Sequence, residues 1–219
     1  MTDRTDSPIP VHIAFVLDAS GSMGSVRQAT VEGVNAFLAE QRAEPGDAWI
    51  SLTLFDTALD PRYVAWGIAD LPELGSEANR YSPGGGTALF DAVGVTILGT
   101  ERWLASNGWF GDRGGRILLV ILTDGQENSS REFTQEKVNG LLKSKQDEGW
   151  DVQFLGSGGS GWLEATFGAS VGLDNIGSYV HDAAGTQASY AAMSAEIGAV
   201  RRTGKRMEKW TPPADGSTS

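Results

Sequence analysis

Three short runs carry oxygen-bearing side chains at spacings that could hold a cation. They are Asp18-Ala19-Ser20-Gly21-Ser22, Gly84-Gly85-Gly86-Thr87 and Leu122-Thr123-Asp124-Gly125. Together they offer the carboxylates of Asp18 and Asp124 and the hydroxyls of Ser20, Ser22 and Thr87. All are hard oxygen donors, with no His, Cys or Lys among them. Such a set suits Mg²⁺, with Mn²⁺ or Ca²⁺ as the other ions it could take, and disfavours zinc and copper. Gly21 lets the first turn close, and the two-residue spacing can aim both serine hydroxyls inward. Mg²⁺ takes about six oxygens at about 2.0–2.1 Å. Five side chains therefore leave a coordination position open to water or to a partner's oxygen.

Each run needs an element to position it. Val11 to Leu17 is a near-continuous apolar stretch, the pattern of a strand buried on both faces of a mostly parallel sheet. Asp18 follows it directly. Helical spacing runs from about 24 to 43 and ends at Glu44-Pro45-Gly46-Asp47. Trp49 to Phe55 and Tyr63 to Ile68 read as strands. The link between them is too short for a helical crossover, so they should pair antiparallel. Tyr81 to Gly86 is a Pro/Gly loop, and a helix follows from Ala88 to about Asn107. Asn107 to Gly115 reads as a second glycine-rich loop. Ile117 to Leu122 is the second central strand, and Asp124 lies just past its end. Thr134 caps a helix to about Glu148, Asp151 to Leu155 is a strand, and Trp162 to Phe167 a short helix. Ile176 to Val180 and Thr186 to Met207 complete the chain as strand and helix. This alternation means helices on both faces of a largely parallel sheet. In such sheets ligands gather outside the carboxyl ends of the strands, where Asp18 and Asp124 fall.

Bulk properties narrow the function classes. The 219 residues, 40% of them apolar, suit one α/β domain with a sizeable core. We expect residues 1–8 as a flexible N-terminus, 9–210 as a single domain and 211–219 as a disordered tail. Cysteine is absent, which excludes disulfides and thiolate metal sites. No signal-peptide layout or membrane-length apolar run is present, so the sequence predicts a soluble, cytoplasmic protein with no membrane partner. Residues 1–200 carry 12 Lys and Arg against 26 Asp and Glu, and residues 201–219 carry five against two. An acidic body argues against nucleic-acid binding, which needs a basic footprint.

Other features have plainer readings. Gly156 to Gly161 lacks the Gly-Lys-Ser/Thr ending of a P-loop and reads as a flexible rim loop. His12 sits at the end of its strand remote from the site, and His181 reads as a surface residue. Asp91 suits the first turn of a helix through the helix dipole alone. Glu127 and Asn128 read as exposed rim. Arg201, Arg202, Lys205, Arg206 and Lys209 read as a solvated helix end. Trp49, Trp66 and Trp103 read as packing residues, while Trp109 and Trp162 could be exposed anchors. No Ser/His/Asp set is evident, and Ser20 is a poor general acid, so no enzymatic activity is expected.

The three runs, in this order and spacing, resemble the metal-ion-dependent adhesion site of the von Willebrand factor A (vWA) family. The resemblance spans about residues 9–200. Asp124-Gly125-Gln126-Glu127-Asn128 and Gly149 to Gly156 are most similar to small bacterial vWA proteins, including those of tellurium-resistance and stress-response systems. The resemblance implies a doubly wound, six-stranded sheet with one antiparallel edge strand and a Mg²⁺ ion at its top. It assigns the ligand roles to Asp18, Ser20, Ser22, Thr87 and Asp124, with an Asp or Glu of a partner protein completing the coordination. Such relatives tend to carry fewer glycines after Leu155. The expectation is a Mg²⁺-dependent protein-binding module. The alternatives are a Mg²⁺-dependent hydrolase of phosphate esters, or a structural subunit of a larger assembly such as a virion or an ATPase-associated complex.

Overall fold

The computed structural model describes residues 8–157, 161–172 and 175–207. Apart from Pro8, the expected N-terminal arm lies outside these residues, as do the expected tail at 211–219 and residues 158–160 of the glycine run. Six strands form one sheet: β1 (Val11–Asp18), β2 (Ala48–Phe55), β3 (Leu59–Gly67), β4 (Arg116–Thr123), β5 (Asp151–Ser157) and β6 (Ile176–Tyr179). Their spatial order is β3-β2-β1-β4-β5-β6. β2, β1, β4, β5 and β6 run parallel, and β3 pairs antiparallel at the edge. The helices are α1 (Arg27–Ala43), α2 (Leu89–Ser106), α3 (Gly108–Asp112), α4 (Gln135–Asp147), α5 (Gly161–Val171) and α6 (Ala183–Thr203).

The near-continuous apolar run of β1 serves two cores. Val11, Ile13, Phe15 and Leu17 point to a layer closed by α1 and α6, through Val34, Phe37, Tyr190, Met193 and Ile197. Ala14 and Val16 point the other way, to Leu89, Val93 and Ile97 of α2, Val138 and Leu142 of α4, and Phe167 of α5. The period-2 alternation of a strand puts neighbouring residues on opposite faces, so a doubly covered strand must be apolar throughout. α1 and α6 approach closely at Gly33, where a Cβ would stand 2.3 Å from the Tyr190 ring.

Several boundaries differ from the sequence expectation; α5 runs on to Val171, and α6 spans Ala183–Thr203 where the sequence predicts 186–207. The helix expected from about 24 starts as a 3₁₀ segment, Gly21–Val26, before α1 proper. Residues 107–115 are not all loop: α3 forms there, because Trp109 and Phe110 pack edge-to-face against Trp49. β3 begins at Leu59, since Asp56 closes the turn by itself, its Oδ1 accepting the Ala58 N–H at 2.7 Å. Pro61 is tolerated in β3 because an edge strand leaves some N–H positions unpaired. β3 is irregular: its register with β2 shifts between Ile50 and Leu52, and Tyr63 and Ala65 have φ of 35° and 51°. Trp66, expected in the core, stands 47% exposed on this strand.

Candidate metal centre

The neighbours of β1 are β2 on one side and β4 on the other, so the chain winds outward in both directions from the β1/β4 junction. A crevice opens at the carboxyl ends of the strands at such a junction. β1 delivers Asp18 to it and β4 delivers Thr123, with Asp124 next. The 3₁₀ segment after β1 curls Ser20 and Ser22 over the same rim. The loop before α2 brings Thr87, which is buried.

Hydrogen bonds tie these residues together. Asp18 is wholly buried; its Oδ1 accepts the Ser20 N–H at 2.7 Å and its Oδ2 accepts the Thr123 hydroxyl at 2.6 Å. Burial pushes its carboxyl up to about 6, against the pull of those hydrogen bonds, and the charge of Asp124 adds to the rise. The Tyr81 hydroxyl donates to the Asp18 carbonyl at 2.6 Å and fixes the strand end. The Ser20 and Ser22 hydroxyl oxygens lie 3.1 Å apart, and Ser22 Oγ donates to Asp124 Oδ1 at 2.6 Å. Gly125 gives these hydroxyls room: a Cβ there would stand 3.1 Å from Thr87 Oγ1 and 3.6 Å from Ser22 Oγ. All five residues singled out by spacing thus meet on one rim.

The arrangement fits a hard divalent ion. Asp124 Oδ2 is closed to solvent and has no hydrogen-bond partner. An unpaired buried acceptor costs about 1–3 kcal/mol, more when charged, and a cation would offset that cost. Donor oxygens 2.6–3.1 Å apart also match neighbouring ligands of an octahedral ion, which at about 2.1 Å bond lengths sit about 3 Å apart. The described residues hold no group of three or more His, Cys, Asp or Glu suited to a metal. Here hydroxyls take the places that acids or imidazoles fill elsewhere.

Sequence reasoning missed several residues around the rim. Glu127 and Asn128, expected as exposed rim, brace the Thr87 loop. Glu127 accepts the N–H groups of Phe90, Ser129 and Ser130 at 2.7–3.0 Å, and Asn128 Oδ1 accepts the Thr87 N–H at 2.9 Å. Asp91 accepts the N–H groups of Arg131, Glu132 and Phe133, so it anchors the next stretch of that loop. His181 is not merely on the surface: its Nε2 is 3.0 Å from Ser25 Oγ and 3.4 Å from Asp124 Oδ2. The basic end of α6 is not simply solvated. Arg201 is 1% exposed and donates to the carbonyls of Gln41, Glu44 and Gly46, while Arg202 pairs with Glu44. Lys209 lies outside the described residues.

No protein-family model matches the sequence, and no curated protein matches it. Solved structures do. The vWF domain of the type V pili tip protein Mfa5 from Porphyromonas gingivalis matches with a TM-score of 0.62 at 9% identity, over 90% of this chain and 98% of that one. Proximal thread matrix protein 1 from the mussel byssus matches with a TM-score of 0.56 at 16% identity, over 90% of this chain and 47% of that one. A von Willebrand factor type A protein from Catenulispora acidiphila gives 0.52 at 17%, over 86% and 42%. The chain spans about half the length of the latter two. At these identities the likeness is one of fold. The chain is a vWA-like α/β domain, and its six-stranded sheet with one antiparallel edge strand is the sheet expected from the sequence. No helix among the described residues is long and apolar enough to cross a membrane.

Proposed function

We propose that this chain is a Mg²⁺-dependent protein-binding module in which a partner's Asp or Glu completes the coordination of the ion. The observation that carries the reading is the buried Asp124 Oδ2, which has no hydrogen-bond partner and lies on the same carboxylate that accepts the Ser22 hydroxyl, itself beside the Ser20 hydroxyl. Asp124, Ser20, Ser22 and Thr87 would hold the ion. Both oxygens of Asp18 already accept protein hydrogen bonds, so Asp18 would act through their remaining lone pairs or through water. The ion, when bound, supplies a fixed electrophile facing solvent.

The donor balance favours an anionic partner group. Fewer than six protein oxygens leave a position open, and although the two carboxylates formally balance a divalent ion, ligation of Asp18 through water would leave the ion electrophilic toward an incoming anion. The body of the chain is acidic, with a net charge of −11, so it repels an acidic partner at long range. Attraction must be local, and a Debye length of about 10 Å at 0.1 M salt permits it. The compartment we assign is a reducing one, the cytoplasm, in keeping with a chain that holds no cysteine.

The test is Mg²⁺ titration by calorimetry of the parent and of Asp124→Ala, followed by capture of protein partners with and without EDTA. Asp124→Ala should abolish Mg²⁺ binding and leave the fold intact, because β4 itself is untouched. Equal Mg²⁺ affinity in parent and variant would remove Asp124 from the site. Capture that survives EDTA would remove the metal from recognition.

A further inference from the structure

His181 has no part in the reading above, yet the fold delivers it to the rim. It lies between β6 and α6, two residues past Tyr179 and one before Asp182, the N-cap of α6, whose side chain accepts the Gly185 N–H at 2.7 Å. The ring is therefore held by fixed backbone on both sides. Its side chain is 29% exposed and reaches over the end of β5 toward Asp124, whose side chain is 1% exposed. Nε2 faces Asp124 Oδ2 at 3.4 Å without forming a hydrogen bond, so that oxygen remains unpartnered. Nδ1 is also without a partner, so no donor fixes the ring proton on Nε2. Ser25 Oγ lies 3.0 Å from Nε2 and donates to the Ser22 carbonyl at 3.2 Å, so an ion would take the Nε2 lone pair in the ring tautomer that carries its proton on Nδ1.

We infer that His181 supplies a nitrogen donor to the metal rim and moves the preference of the site from Mg²⁺ toward Mn²⁺ and the later first-row ions. This rests on the reading that the rim holds a divalent ion. The separation of 3.4 Å between Nε2 and Oδ2 is close to that of two neighbouring ligands on one ion. Imidazole nitrogen adds little for Mg²⁺, which prefers oxygen, and more for each ion along the first-row series. The all-oxygen set of Asp18, Ser20, Ser22, Thr87 and Asp124 would alone favour Mg²⁺. One imidazole beside the buried carboxylate changes that balance: with Asp124, Ser20, Ser22 and Thr87 it would make five direct donors, and the sixth position would hold the water that links Asp18 until a partner's carboxylate displaces it.

The experiment uses the full chain, stripped with chelator and titrated separately with Mn²⁺ and Mg²⁺, as parent and as His181→Gln. The parent should bind Mn²⁺ more tightly than Mg²⁺ by about tenfold or more. His181→Gln should lose about tenfold in Mn²⁺ affinity and less than about threefold for Mg²⁺. Pulsed electron paramagnetic resonance of the Mn²⁺-loaded parent should show coupling to an imidazole nitrogen that His181→Gln lacks. That spectrum of the parent alone decides the matter if the variant fails to fold. A parent that binds both ions but shows no nitrogen coupling, or an unchanged Mn²⁺/Mg²⁺ ratio in His181→Gln, overturns the role of His181 and leaves the metal reading standing. A parent that binds neither ion overturns both.

Discussion

Replacing Asp18 by asparagine should stabilise the metal-free chain and weaken its response to metal. The carboxyl of Asp18 is wholly buried, and burial raises it from 3.8 to about 6. A raised carboxyl pKa means the folded chain holds the proton more tightly than the unfolded chain. The charge penalty is therefore absent below about pH 4, grows as pH rises toward about 6, and is fully present at pH 7. A rise of about two units corresponds to about 3 kcal/mol. Asp18→Asn removes that penalty. Its hydrogen bonds can be rebuilt: one amide oxygen accepts the Ser20 N–H, and the amide nitrogen donates to Thr123 Oγ1. The Thr123 hydroxyl then donates to the Gly125 carbonyl, already 3.1 Å away. Allowing about 1 kcal/mol for imperfect rearrangement, the variant should gain about 2 kcal/mol in EDTA at pH 7. That is about 4–8 °C in melting temperature for a domain of this size. With Mg²⁺ at about one hundred times its Kd, the parent gains about 2.7 kcal/mol, and the variant gains less because one of the two charges that attract the ion is gone. The gap seen in EDTA should narrow. Thermal melts of both proteins in EDTA and in a Mg²⁺ series test this. A variant that melts below the parent in EDTA, or that responds to Mg²⁺ as the parent does, would refute the argument.

Three further outcomes follow from other contacts. Glu127→Ala should speed amide exchange at Phe90, Ser129 and Ser130, whose N–H groups it accepts, while the amides of β4 stay protected; uniform acceleration would show that Glu127 supports the whole fold instead. Arg201→Ala takes the donor from four carbonyl groups, that of buried Gln41 and the more accessible ones of Glu44, Pro45 and Gly46, and should cost about 1–3 kcal/mol in urea denaturation, with Arg201→Lys costing less because one ammonium still reaches part of the set. A loss below about 1 kcal/mol for Arg201→Ala would contradict its buried role. Burial lowers the His12 imidazole to about 3, so the unfolded chain takes up the proton first and stability falls as pH drops from about 6.5 toward 3. Between about pH 7 and pH 5 the stability of the parent should fall about 2 kcal/mol more than that of His12→Gln, and parallel pH curves would show that the ring is already protonated in the fold.

The residues that spacing could group were legible because their relation is local or set by strand ends. Asp18, Ser20 and Ser22 share one turn, and Asp124 follows directly on the end of β4, whose last residue, Thr123, stands level with Asp18 at the end of β1. The antiparallel pairing of β2 and β3 was legible from the shortness of the link between them. His181 was not, because its partner Ser25 is 156 residues away and their meeting depends on β6 lying beside β5. Glu127 and Asn128 misled because a polar residue in a loop says nothing of which backbone N–H groups it will meet. Arg201 misled for a related reason: the end of α6 lies across the end of α1, where the Glu44-Pro45-Gly46 turn presents carbonyls without donors. Trp66 was assigned to the core on residue type, but β3 is an edge strand with one face open.

The two outer strands bear on how this domain can be approached by other chains. An exposed strand edge normally offers a straight row of N–H and C=O groups that another strand can extend. β3 breaks that row, since the positive φ of Tyr63 and Ala65 and the register shift opposite them bend it out of line, and Pro61 withholds one donor. At the far side β6 is only four residues long. Neither border can template a seventh strand of useful length. The domain is thus guarded against edge-to-edge strand pairing with copies of itself at high concentration.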